Sequence, residues 1–490
     1  MPVKQFYLCG PYASTAVGHI DLDGRFDLPQ VKKAVGAHFA IVEPKGISFL
    51  LDTSSEAEKP ATSNQILKAD KPIGILVDGQ PVRDAPGPRG ILLIGNHERL
   101  FSLYGPLFQT TVMGRTVYHT NDPTITSHVF SETEFFTKNI NHASALRTFG
   151  SKAINHYTPK MQEVMSKAFE VFDELESAGK AWNAYSFMLK LSSQLVGRLI
   201  LGVDFGHFER VDSPVHEIPL AIVNLLGLNK KRLRDTWHRK SEVGKGEVYL
   251  QEAAMKTDSL ADYLLRARDS KGNKLREHSR NPALIVTLTA GFVTTSSLLS
   301  WLLYGLVTYP EVQERLYQEL VDHNVTEDTE MTTDVLEQLE YLDRFIKETQ
   351  RRHTTSFQPS RTVRKNIILP GGYRVPQDGV VIAEVHHLHN NPAVWDNPSQ
   401  FSPDRWQTEK AKNRHRAAYI PFAMGPRMCV ASHFVAREVK VFIVMLVARY
   451  GFTRQGSDIE YDAMFQTVKP NNLYVQARRR RSSEGDAASG

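Results

Sequence analysis

A chain of 490 residues with 41% hydrophobic side chains has room for one large domain, an appendage and an ordinary globular core. A net charge of +5 is too mild to argue for a nucleic-acid partner, although a basic face suits an acidic redox partner. Two cysteines, Cys9 and Cys429, exclude a disulfide framework and point to a reducing, intracellular compartment. No apolar run long enough to anchor the chain across a bilayer is expected near the N-terminus.

In chain order, Gln5-Phe6-Tyr7-Leu8-Cys9 reads as a short strand. Asp27-Leu28-Pro29-Gln30 reads as a helix start with Asp27 as N-cap, and Val31, Val35 and Phe39 follow at helical spacing. Strands are expected at 47–51 and 73–77, separated by a polar stretch at 53–64. Strands around one helix predict a small α+β module, β-grasp-like, over residues 1–83. It lacks clustered His, Cys or carboxylates, so interaction or packing suits it better than catalysis. The run Asp84-Ala85-Pro86-Gly87-Pro88-Arg89-Gly90 reads as a linker to a second domain, 84–477.

That domain opens with an expected helix at 97–104, a hairpin at 108–118 and a helix at 121–130. The pattern is helical throughout 159–206 and again over 214–228. The basic run Lys230, Lys231, Arg232, Arg234, Arg239 and Lys240, with Trp237 among them, reads as a solvated loop rather than a membrane contact.

Residues 282–309 form a long apolar helix interrupted by Ala290-Gly291-Phe292-Val293-Thr294-Thr295. Gly and paired Thr are poor mid-helix residues. Thr294 can bond back to the Ala290 carbonyl and Gly291 removes bulk beside it, leaving a groove suited to a diatomic ligand. An ordinary core helix with incidental threonines is the rival reading. Over 341–352 a helix sets Glu348 and Arg351 on one face, a costly buried pair unless further groups saturate it. His386, His387 and His389 do not read as metal ligands, because adjacent residues of an extended strand face apart. The last charged run, Arg478 to Arg481, and the polar residues 482–490 read as a disordered tail.

The most informative stretch is Pro421-Phe422-Ala423-Met424-Gly425-Pro426-Arg427-Met428-Cys429-Val430-Ala431, ahead of an apolar-periodic run at 434–450. Gly425 and Pro426 impose a tight turn, and a thiol at the N-terminus of a helix is favoured as thiolate. A soft anionic ligand of that kind suits a haem iron. An inert buried cysteine is the alternative.

This stretch resembles F-x-x-G-x-R-x-C-x-[GA], the haem-ligand signature of the cytochrome P-450 family, through Phe422, Gly425, Arg427, Cys429 and Ala431. Glu348-Thr349-Gln350-Arg351 is similar to the family's E-x-x-R, and Phe401-Ser402-Pro403-Asp404-Arg405-Trp406 to its F-x-P-x-R-[FW]. The resemblance runs from about Pro86 to the end of the last strand. It implies a mainly α fold with a minor β region. It also implies haem b with its iron ligated by Cys429, in a loop shaped by Phe422 and Gly425, with Arg361 and Arg427 on the propionates. Ala290 and Gly291 would border the haem, and Thr294 with Thr295 would be catalytic. Glu348, Arg351 and Arg405 would form a structural triad.

Two departures stand out. Residues 137–147, Thr137-Lys138-Asn139-Ile140-Asn141-His142-Ala143-Ser144-Ala145-Leu146-Arg147, hold no W-x-x-x-R, whose Trp and Arg normally clamp a propionate. Val293 replaces the acidic residue beside the oxygen-activating threonine.

The resemblance implies a monooxygenase that inserts one oxygen atom into an apolar small molecule. The tract Ala290 to Tyr304 is similar to that of soluble fatty-acid hydroxylases. No flavin or nicotinamide domain is present, so electrons are expected from a separate NADPH-dependent reductase. The expected location is cytoplasmic or peripheral to a membrane. Two alternatives remain: a haem protein that uses peroxide or catalyses a rearrangement, and a non-catalytic interaction protein with a degenerate haem domain.

Overall fold

The computed structural model describes residues 3–9, 17–21, 27–51, 73–85, 97–112, 115–131, 136–137, 151–232, 277–355, 358–456, 458–460 and 467–480. The polar stretch 53–64, the linker from 86 to 90, the segment 138–147, the basic run from 233 to 240 and the tail from 481 lie outside the described residues. The chain divides into two compact units. One comprises residues 1–139, 358–394 and 414–428, and the other comprises 140–357, 395–413 and 429–490.

The first unit begins with β1 (Val3–Leu8), β2 (Val17–Asp21), α1 (Leu28–Phe39), β3 (Ile47–Leu50) and β4 (Ile73–Val77). Their sheet order is β2-β1-β4-β3, with β1 and β4 parallel and the outer pairs antiparallel. The start of α1 is fixed as its sequence predicts: the Asp27 carboxylate accepts the Gln30 N–H at 2.9 Å and Pro29 sits in the first turn. Val31 and Val35 of α1 are fully buried against Phe6, Ile47, Phe49, Ile73 and Ile75 of the sheet. Strand β2 escapes the sequence reading because Gly18 and His19 break its apolar alternation.

The same unit holds a five-stranded sheet, in the order Leu107–Val112, Arg115–Thr120, Val380–Ala383, Ser360–Val363, Phe136–Thr137. A further sheet pairs Ile367–Leu369, Tyr373–Val375 and Arg83–Asp84. Ile368 belongs to the core of the N-terminal sheet, and its carbonyl accepts the Val42 N–H at 3.0 Å. His386 and His387 do not lie on an extended strand. Val385–His389 is one helical turn and a half, entered directly from Val380–Ala383.

Helices dominate the second unit: Ser151–Ser177, Ala184–Val196, Glu217–Arg232, Glu277–Thr308, Pro310–Asp322, Glu340–Arg352 and Ser432–Arg449. The stretch 159–206 is not helical throughout. Gly179 adopts φ 61°, Trp182–Asn183 pairs with Tyr474–Arg479, and the Asn183 side chain then caps the next helix through the Ser186 N–H at 3.0 Å. The charged run at 478–480 is ordered in that strand and just beyond it. Arg479 pairs with Asp173 and Glu327 at 3.4 and 3.2 Å, and Arg480 with Glu314 at 3.4 Å. Among the described residues Thr287–Thr308 is the one span long and apolar enough to cross a membrane, and most of it is buried as a core helix is.

Candidate active site

Phe422, Gly425 and Arg427 fall in the first unit, on the approach to Cys429 and the single turn Gly425–Arg427. Gly425 has φ 76°, and a Cβ there would stand 1.9 Å from the Phe130 carbonyl oxygen, so no side chain is tolerated. The Met428 N–H closes the turn on the Gly425 carbonyl at 3.0 Å. Arg361, on the strand Ser360–Val363, is 1% exposed, and its guanidinium lies 4.3 Å from the centre of the Phe130 ring.

Cys429 opens the last segment of the second unit, is exposed and is not part of a disulfide. Its carbonyl accepts the N–H of Ser432, the first residue of Ser432–Arg449, at 3.4 Å. The cysteine therefore sits at the N-terminal end of an 18-residue helix.

The long helix Glu277–Thr308 is not interrupted at Ala290–Thr295 as the sequence suggests. Its hydroxyls fold back onto the turn below: Thr294 Oγ1 donates to Ala290 O at 3.0 Å, Thr295 Oγ1 to Gly291 O at 3.1 Å and Ser300 Oγ to Ser296 O at 2.7 Å. These bonds add to the ladder instead of breaking it. Ala290 is exposed and Gly291 and Thr294 are half-buried, while Thr295 is fully buried. Val293 points elsewhere: it packs with Tyr185, Leu189, Val196 and Ile200 and is buried. The residue that replaces the family's acid is thus a packing residue between two helices.

The structure brings Glu348, Arg351 and Arg405 together. Arg351 Nε and Nη2 donate to the two Glu348 oxygens at 2.9 and 2.8 Å, and Arg405 Nε reaches Oε1 at 3.3 Å. The Ser402 N–H and Trp406 Nε1 supply the remaining bonds to the carboxylate, at 2.9 and 3.1 Å. Surplus guanidinium donors end on the carbonyls of Pro398, Asn397 and Gln400. Each charge is saturated, which is the condition a buried ion pair needs.

One buried acid and one buried cluster were missed by sequence reasoning. Glu438, on Ser432–Arg449, is fully buried and its carboxyl is pushed up to about 8 by burial, with the Ser192 hydroxyl pulling slightly the other way. The signal was available, since Phe434, Glu438 and Phe442 share one helical face. The cluster, His97, His119 and Glu384, gathers residues from three separate elements, one of them far along the chain, and no local pattern announces it.

The residue types fit a haem: a thiol for the iron, arginines for the carboxylates and a turn that only glycine can make. Residues 96–475 match the family model for cytochrome P-450. A cytochrome P-450 monooxygenase of Emericella nidulans is 36% identical over 551 aligned positions, covering 98% of this chain and 99% of that protein. Because this chain has 490 residues, at least 61 of the 551 positions have no counterpart in it. Leukotriene-B4 omega-hydroxylase 3 of Mus musculus is 31% identical over 244 residues, 50% of this chain and 45% of that protein. Among solved structures, the haem domain of cytochrome P-450DA superposes with a TM-score of 0.68 at 21% identity, covering 82% of this chain and 98% of that one.

Proposed function

The chain belongs to the cytochrome P-450 family of haem-thiolate oxidoreductases, and from that premise we propose that it inserts one oxygen atom from dioxygen into a fatty acid or similar lipid. The observation that carries the reading is Cys429 at the head of a buried helix, behind a turn whose Gly425 admits no side chain. Cys9, the other cysteine, lies outside the matched span. The leukotriene hydroxylase relative, whose substrate is a fatty-acid derivative, supports the lipid class.

In this reading Cys429 holds the iron of a haem b, and Arg361 and Arg427 hold its carboxylates, with Phe422 and Gly425 shaping the loop. The bound haem supplies oxygen activation, which thiolate ligation favours. Ala290 and Gly291 leave room beside the half-buried Thr294, whose Oγ1 can exchange its bond to Ala290 O for one outward and so hold a proton for delivery. Thr295, fully buried, supports the same turn. Glu348, Arg351 and Arg405 fix the segment that leads to the cysteine. Electrons come from a separate NADPH-dependent reductase, and the protein works inside the cell, free or against a membrane surface. Residues 1–83 are a packing or interaction module, 84–477 the haem domain and 478–490 a terminal segment.

The test is the ferrous–carbonyl spectrum of the holoprotein. The band that gives the family its name should vanish in Cys429→Ala and persist in Cys9→Ala. An unchanged spectrum in Cys429→Ala overturns the assignment. With reductase, NADPH and a long-chain fatty acid, Thr294→Ala should form about tenfold less product per NADPH consumed, about 1.4 kcal/mol in the difference between the productive and unproductive barriers. Product that forms only with added peroxide would remove the reductase from the scheme.

A further inference from the structure

Three side chains from separate elements meet inside the first unit. His97 opens the helix His97–Tyr104, His119 lies near the end of the strand Arg115–Thr120, and Glu384 directly follows the strand Val380–Ala383. Those two strands are parallel, with Ala383 opposite Thr120, and the Glu384 N–H donates to the Thr120 carbonyl at 2.9 Å. That register sets residues 119 and 384 at the same end of the sheet. His119 Nδ1 stands 2.7 Å from Glu384 Oε1, and His97 Nδ1 stands 3.7 Å from Oε2. One donor atom from each residue lies within 4.8 Å of the other two. Exposures of 6, 5 and 1% leave the cluster closed to bulk water.

A buried carboxylate needs a counter-charge. The groups that reach the two Glu384 oxygens are both imidazoles, which can serve as proton carriers or as metal ligands. Two imidazole nitrogens and one carboxylate oxygen form the donor set of a three-ligand zinc site. Metal-bound histidines also need an outer hydrogen-bond partner on the second ring nitrogen. Thr110 Oγ1 fills that place, 2.8 Å from His119 Nε2. Ligands at about 2.1 Å from a tetrahedral zinc stand roughly 3.4 Å apart, so shifts of about 1 Å would seat the ion.

We propose that His97, His119 and Glu384 bind one zinc ion, at a centre independent of the haem. The ion would replace a proton as counter-charge to Glu384 and would tie one helix to two strands that are far apart in the chain.

The holoprotein, dialysed against zinc(II) and then against metal-free buffer, is assayed for zinc and iron together. One zinc per chain is expected. Glu384→Gln keeps the shape and a hydrogen bond to His119, and should lower bound zinc at least tenfold while haem content stays unchanged. His386→Ala, whose imidazole is outside the cluster, should keep its zinc. Anomalous diffraction at the zinc edge from wild-type crystals should place a peak among the three side chains. Wild-type protein without zinc above background, a peak elsewhere, or a Glu384→Gln protein that holds zinc as tightly as wild type overturns the proposal. Should Glu384→Gln fail to fold, the wild-type stoichiometry and anomalous map decide alone.

Discussion

Glu348 and Glu438 are both fully buried in the second unit, and the fold answers their burial in opposite ways. Glu348 is met on both oxygens by two guanidinium groups, an indole N–H and a backbone N–H. Neither oxygen of Glu438 has a hydrogen-bond partner among the described residues, and burial pushes its carboxyl up to about 8, so it is largely the neutral acid at pH 7. Burial alone therefore does not decide what a glutamate contributes. One is the hub of an ionic network; the other is a proton held in an apolar layer.

The largest expected effect comes from breaking the first arrangement. Glu348→Ala strands Arg351 without its counter-ion and should cost about 3–5 kcal/mol. The readout is the yield of soluble, haem-loaded protein. A variant that folds, keeps haem and only turns over slowly would move Glu348 from structure to chemistry.

Val293→Asp would add a further buried carboxylate, this time in an apolar cluster between helices. In a cluster of Tyr185, Leu189, Val196 and Ile200 it should cost about 3 kcal/mol and lower haem retention without improving product per NADPH. A stable variant with better coupling would show that the side chain can reach the proton route.

Glu438→Gln sharpens the contrast through pH. Its folded value, about 8, lies above the ordinary 4.5, so the unfolded chain gives up this proton first as pH rises. The stability that the neutral acid contributes is complete below about 4.5 and gone by about 8, falling by about 1.4 kcal/mol per pH unit between. Urea midpoints should therefore drop more steeply with pH in wild type than in Glu438→Gln. Parallel slopes would mean that Glu438 does not titrate in this window.

The smallest effect belongs to Ser192→Ala. Removing the nearby hydroxyl that pulls the Glu438 value down should move the upper limit of that pH window higher. An unchanged profile would show that Ser192 has no hold on the acid.

What the sequence made legible was whatever it writes locally. Glu348 and Arg351 lie one helical turn apart, Asp27 stands three residues before the N–H that it caps, and Gly425 announces a turn. The Thr294 to Ala290 hydrogen bond also followed from spacing, but its consequence did not. A hydroxyl that borrows a carbonyl already in the ladder need not break the helix, and here it does not. Glu438 was hidden because a lone acid in an apolar run is usually assigned to solvent. The His97, His119 and Glu384 cluster depends on a strand pairing between residues 115–120 and 380–383, which no window of sequence contains. The break at Gly179 was passed over because the helical period resumes on both sides of it.

The close approach of Gly425 to the Phe130 carbonyl also sets an order of assembly. Contacts between such distant parts of a chain carry a large loop-closure cost and tend to form late in folding. On the ribosome, the segment that ends at Phe130 emerges long before the turn that must fit against it. A nascent chain that has not reached Gly425 can fold around residue 130 but has no turn yet to set against it. The turn is added to a surface whose shape was settled early in synthesis.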